Sequence, residues 1–155
     1  MSLTIQINFT KKLVISILFL FLVFFRCTDT KELLPEDISS KQEKLWESQE
    51  IKDYGFTLEI SCYCIDEYTL PKRVEVRNNQ IQSLNGIPYG DLEYESYYTF
   101  NEFFDYIKER QKENPVVENL SYDSIYGFPT YIYFDISEMI ADEEIGYTIT
   151  EFVIN

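Results

Sequence analysis

From Tyr54 the chain alternates strictly: Tyr54, Phe56, Leu58, Ile60, Cys62 and Cys64 fall on one side, Gly55, Thr57, Glu59, Ser61 and Tyr63 on the other. A period of two over eleven residues predicts a half-buried β-strand with both cysteines on its apolar face. Val74 and Val76 alternate with Arg73, Glu75 and Arg77, and Asn78-Asn79 accepts the positive φ angles of a tight hairpin, which places Val76 opposite Ile81. Three strands in a meander follow. The period changes to the helical one at Thr99, where Phe100, Phe103, Phe104 and Ile107 make one apolar stripe. Thr99 and Glu102 have capping-box spacing, Lys108, Arg110 and Lys112 sit where a helix dipole favours cations, and Asn114-Pro115 ends the helix. Ser40 and Glu43 repeat the capping-box spacing and predict an earlier helix from Ser40 to Lys52, with Leu45, Trp46 and Ile51 as its buried contacts.

Three more strand patterns follow the second helix: Val116 to Tyr122, Thr130 to Ile136 with Thr130, Ile132, Phe134 and Ile136 on one face, and Tyr147 to Ile154. Between the halves, Asn85-Gly86, Pro88 and Gly90 break the pattern, and Asp91 to Tyr98 reads as a connection. The order helix-βββ-helix-βββ predicts an α+β fold, a two-layer sandwich of a mainly antiparallel sheet of about six strands with two helices on one face.

A different pattern precedes the domain. Lys11-Lys12, the apolar run Leu13 to Phe25 and then Arg26-Cys27 read as an export signal ending at a lipid-acceptor cysteine. The run is shorter than the roughly twenty apolar residues of a membrane span. The expected organisation is a lipoprotein-type signal over 1–26, a tether over 27–37 and one α+β domain over 38–155. Lipidation is expected at Cys27, and the location at a bacterial cell envelope. Arg26 stands where lipoprotein signals usually place a small residue, and secretion without the lipid is the alternative.

Charge narrows the partners. The chain holds 13 Lys and Arg against 27 Asp and Glu; without Lys11, Lys12 and Arg26 ten basic residues remain and the mature charge is −17. Nucleic acid, which is bound by cations that displace its counterions, is excluded. Membrane association is expected through the lipid alone. Histidine is absent, which removes hydrolases with a His base and zinc sites built on His. The thirteen Tyr and twelve Phe fit a composition in which Ile, Asn, Lys, Tyr and Phe rise together, as in AT-rich genomes.

Three groups could carry chemistry. Cys62 and Cys64 are an even pair once Cys27 is lipidated, but Cα atoms two apart in a flat strand lie roughly 6.5 to 7 Å from each other, so a local disulfide needs a bend there. A thiol–disulfide exchange site is the rival reading, although redox pairs usually have two residues between the cysteines. Asp135, Glu138, Asp142, Glu143 and Glu144 form an acidic run; Asp135, Asp142 and Glu144 are calcium candidates, without the order of an EF-hand loop, and a solvated hairpin connection is the plainer reading. Tyr122-Asp123 with Gly127-Phe128-Pro129-Thr130 suits a turn, Asp123 bonding nearby amides and Gly127 free to take positive φ.

These residues also carry a resemblance. Trp46, Tyr54, Cys62 and Cys64, Val74 and Val76, Thr99 with Phe103-Phe104, Tyr122-Asp123 with Gly127-Phe128-Pro129-Thr130, and Asp142-Glu143-Glu144 occur in the order of an uncharacterised family of bacterial secreted proteins and lipoproteins, a domain of unknown function. The resemblance covers nearly the whole mature chain. It implies an envelope location and a compact α+β domain, and no known activity. From the signal, the missing histidine and the lack of a catalytic array, the expected role is a non-enzymatic, lipid-anchored envelope protein with a binding or accessory function and an envelope protein as partner, needing no cofactor; the alternatives are a calcium-dependent binding module and a thiol–disulfide active envelope protein using Cys62 and Cys64.

Overall fold

The computed structural model describes residues 35–91, 97–140 and 144–155. Helix α1 (Pro35–Ser48) leads into strand β1 (Tyr54–Ser61), the short helix α2 (Asp66–Thr69), and strands β2 (Lys72–Arg77), β3 (Gln80–Leu84) and β4 (Ile87–Pro88). A 3₁₀ turn (Tyr89–Asp91) closes the first half; helix α3 (Phe100–Lys112) and strands β5 (Val117–Tyr122), β6 (Pro129–Asp135) and β7 (Ile145–Ile154) make the second. Among the described residues seven strands join one antiparallel sheet in the order β4-β3-β2-β1-β7-β6-β5. The fold is α+β with the sheet dominant, and β1 and β7 bring the two halves together at its centre.

The Asn78-Asn79 hairpin forms as expected: φ is 50° and 58°, and Val76 faces Ile81. A second such turn forms where the sequence pattern shows only a break. Asn85 at φ 49° and Gly86 at φ 81° return the chain so that Leu84 pairs with Ile87, adding the two-residue β4. Most of the Asp91–Tyr98 connection lies outside the described residues.

The first helix corrects its prediction. It begins at Pro35, five residues before Ser40, and proline suits a first turn because it has no N–H to satisfy there and its φ is already helical. Ser40 is therefore interior and exposed, and Glu43 accepts from the Lys108 ammonium at 2.6 Å instead of capping its own helix. The helix stops at Ser48 rather than Lys52, since Glu50 takes φ 53° and turns the chain away. By contrast, α3 has the complete capping box: Glu102 N–H donates to Thr99 Oγ1, and Thr99 N–H donates to the Glu102 carboxylate at 2.7 Å.

The core joins Trp46 of α1, Tyr54, Phe56 and Leu58 of β1, Val74 and Val76 of β2, Phe100, Phe103, Phe104 and Ile107 of α3, and Ile132 and Phe134 of β6. The indole of Trp46 meets Tyr54 and Phe100 edge-on at 5.3 and 5.0 Å, and donates its N–H to Asn101 Oδ1 at 2.8 Å. Phe100 stacks on Phe128 at 4.6 Å. The core is thus built mainly on aromatic rings, in the offset and edge-to-face pairs that ring quadrupoles prefer.

Candidate functional site

The strand predicted to run through Cys64 ends at Ser61, and residues 62–64 bend. That bend brings the Cα atoms of Cys62 and Cys64 to 5.3 Å and the pair to disulfide distance. It also corrects the expected facing of the two side chains. Cys62 packs partly against the core while Cys64 is exposed, because the alternation of a strand no longer applies past Ser61.

Beyond the bend, α2 and the turn into β2 build a wall. Thr69 Oγ1 donates to the Asp66 carbonyl at 2.9 Å, and the Lys72 ammonium donates to the carbonyls of Glu67 and Leu70, so the open end of this one-turn helix is satisfied from the next strand. The facing wall is the Asn85-Gly86 turn, fastened to β2 by Arg73 N–H donating to Asn85 Oδ1 at 2.8 Å. Between the walls lies an open pocket of about 310 Å³, with Leu70, Pro71, Leu84 and Ile87 as its apolar lining and Tyr68 and Tyr97 among its polar groups. Its volume is at the lower end of small-ligand sites. Leu70 is 60% and Ile87 51% exposed, although both belong to residue types that folding normally buries. The Tyr97 phenol is raised above its usual pKa, first by burial and then by Tyr68, Tyr89 and Glu67. Chemically, the pocket offers an apolar floor with phenol and carboxylate groups at its sides, a set suited to holding a side chain or small molecule.

The remaining predicted residues fall elsewhere. Cys27 lies outside the described residues, as do Asp142 and Glu143. Of the calcium candidates, Asp135 turns its carboxylate onto the Ser137 N–H at 3.1 Å, and Glu144 sits just before β7. Among the described residues no group of three or more His, Cys, Asp or Glu side chains is placed to hold a metal ion.

The motif residues that the structure describes take up turn, cap and core positions. The Asp123 carboxylate accepts from the N–H groups of Ile125 at 2.9 Å and Tyr126 at 2.7 Å, and Asp123 N–H donates to the Phe128 carbonyl at 2.9 Å, which closes the β5–β6 turn. Gly127 takes φ 85° and passes so close to α1 that a Cβ there would lie 2.5 Å from the Gln42 carbonyl oxygen. Tyr122 stacks on Phe104 at 6.2 Å and its hydroxyl bonds the buried Ser39 at 2.7 Å. Pro129 is fully buried, Thr130 half-buried, and Trp46 and Thr99 act in the core and the α3 cap.

Sequence reasoning missed the pocket and β4. A signal was present: Leu70-Pro71 and Ile87-Pro88 are two apolar-Pro steps, and each supplies an exposed lining residue. It also missed the Gln111 amide, which donates to Glu118 at 2.8 Å and to Ser39 at 3.4 Å beneath β5.

A family model described as "Family of unknown function (DUF6174)" matches residues 39–154. No curated protein and no solved structure matches the chain.

Proposed function

We propose, for a chain that belongs to the DUF6174 family of unknown function, that it is a lipid-anchored, non-enzymatic protein of the bacterial cell envelope whose domain binds another envelope protein. The pocket beside α2 is the observation that carries the binding part. Leu70 and Ile87 are left exposed on either side of a concave apolar floor, and they belong to connections that Lys72 and Asn85 hold in place. An aliphatic or aromatic side chain of the partner is the natural occupant, because burying it there also covers these two residues. The anchor rests on the Lys11-Lys12, Leu13–Phe25 and Cys27 pattern, with the lipid on Cys27 and the signal removed before it.

Three further parts complete the reading. The two long helices cover one face of the sheet in a two-layer sandwich, supported by their shared core with β1. Cys62 and Cys64 form a structural disulfide that fixes the start of the pocket wall. The motif residues serve folding, as their bonds to backbone and to α1 support.

Two measurements on the full-length gene product matured in a bacterial host test this. An intact mass starting at Cys27 with a diacyl or triacyl adduct, and no alkylation of Cys62 or Cys64 after denaturation, is expected. An unlipidated chain with two reactive thiols sinks the anchor and the disulfide together. A photo-reactive residue at position 87 is expected to give one discrete protein adduct in the envelope fraction, weakened by Leu70→Glu; adducts no different from those of a probe at exposed Lys41 sink the binding pocket.

A further inference from the structure

The two edges of the sheet are finished in opposite ways. On one side the outermost strand is β4, only two residues long, with Pro88 lacking an N–H and a 3₁₀ turn directly after it. Short edge strands and prolines are the usual protection against pairing with another chain. The other outermost strand, β5, has six residues, pairs among the described residues only with β6, and contains no Lys, Arg or Pro between Val117 and Tyr122. Its register is regular from Val117 to Ser121, with a shift only at Tyr122. The one charged residue, Glu118, already accepts from Gln111.

Along β5 the exposed residues are Val117, Asn119 and Ser121, and the alternate set Glu118, Leu120 and Tyr122 is half-buried. With Ile38 of α1, that second set lines a shallow groove of about 190 Å³ beside the edge. An eighth strand added there would hydrogen-bond along β5 and lay alternate side chains against Ile38, Leu120 and Tyr122.

We infer that β5 is a self-association edge, and that a second copy of this chain pairs with it, β5 against β5, about a two-fold axis at Leu120. Two antiparallel copies of one strand are self-complementary, which closes the interface as a dimer. Centring the axis on Leu120 sets Leu120 against its own copy, Asn119 against Ser121, Glu118 against Tyr122, and Val117 against Asp123. No like charges face each other in this register. The Leu120, Tyr122 and Ile38 sets of both copies fall on the same face and make one apolar seam. Against it stands the mature charge of −17 on each copy, so the dimer is expected to be weak at low salt and to tighten, by about tenfold in Kd, when salt shortens the range of that repulsion.

The test is a cysteine scan in the full-length chain in its bacterial host. Directly paired Cβ atoms in an antiparallel ladder lie about 5 Å apart, so Leu120→Cys is expected to give a covalent dimer under mild oxidation. In the same register two copies of residue 117 are six positions apart along the ladder, about 20 Å, and Val117→Cys is expected to give none. The wild-type protein in mild detergent, read by light scattering, is expected to carry two chains per micelle at high salt. Equal crosslinking at 117 and 120, an adduct of Leu120→Cys with a different protein, or a single chain per micelle at every salt and at the highest protein concentration overturns the inference.

Discussion

Gly127 and Gly86 separate two costs that are usually confounded. Both have positive φ, 85° and 81°, but a Cβ on Gly86 would meet nothing within 4 Å, whereas on Gly127 it would press on the Gln42 carbonyl and on Leu45. Gly86→Ala therefore pays for left-handed backbone alone, about 1 kcal/mol. Gly127→Ala adds a collision with helix backbone and is expected to lose at least about 3 kcal/mol. Urea denaturation of both variants checks the pair, and equal losses would refute the close approach to α1. Tyr54 is a second informative residue. Its hydroxyl accepts the N–H of Phe100 at 3.0 Å at the buried start of α3, so Tyr54→Phe is expected to leave that donor unpaired at a cost of about 1 to 3 kcal/mol despite preserving the ring.

At the scale of elements, two identical spacings had different outcomes. Ser40-Glu43 and Thr99-Glu102 both read as capping boxes, yet only the second caps a helix. The difference lies in what precedes each: Pro35 starts α1 a full turn early, while Thr99 has extended backbone at φ −70°, ψ 167°. Thr99→Ala is thus expected to cost about 1 to 2 kcal/mol, and Ser40→Ala to stay within about 0.5 kcal/mol, as at an exposed helix interior. Thermal unfolding of the two variants decides it; comparable losses would restore a cap at Ser40. The strands were legible because period two and the Asn-Asn turn are local signals, and so was the stop at Asn114-Pro115. Three boundaries were not. The end of α1 depends on Glu50 adopting φ 53°, a residue type with no preference for it, the end of β1 on the Cys62–Cys64 bend, and β4 on pairing with Leu84 across a turn. The pocket was illegible for the same reason, since Leu70 and Ile87 are seventeen positions apart and only the sheet brings their connections together. Of the acidic run, Asp135 is engaged in local turn chemistry, accepting from the Ser137 N–H, and Asp142 and Glu143 lie outside the described residues.

At the scale of the whole molecule, the folded state holds protons that the unfolded chain gives up, and this sets how it responds to alkali. Burial is the main reason that the phenols of Tyr54 and Tyr147 are raised far above their ordinary pKa of 10 and that of Tyr122 is pushed up to about 12. In the unfolded chain all three ionise near pH 10. Below that pH both states keep the protons and stability is unaffected by these groups. Above it the unfolded chain binds fewer protons than the native one, so the free energy of unfolding falls as pH rises, and keeps falling through pH 12 as Tyr54 and Tyr147 remain protonated in the fold. The urea midpoint is expected to drop steadily from pH 10 upward, and the drop between pH 10 and 12 to be shallower in Tyr122→Phe, which has one proton fewer to contribute. Tyrosinate absorbance gives an independent reading on the same samples: near pH 11 the native chain is expected to lag the denatured chain by the phenols of Tyr54, Tyr122 and Tyr147, with Tyr97 and Tyr98, also raised by burial, adding to the lag. A native chain whose thirteen tyrosines ionise in step with the denatured one would mean that Trp46, Phe100 and their neighbours do not keep water from Tyr54, and the aromatic core would have to be redrawn.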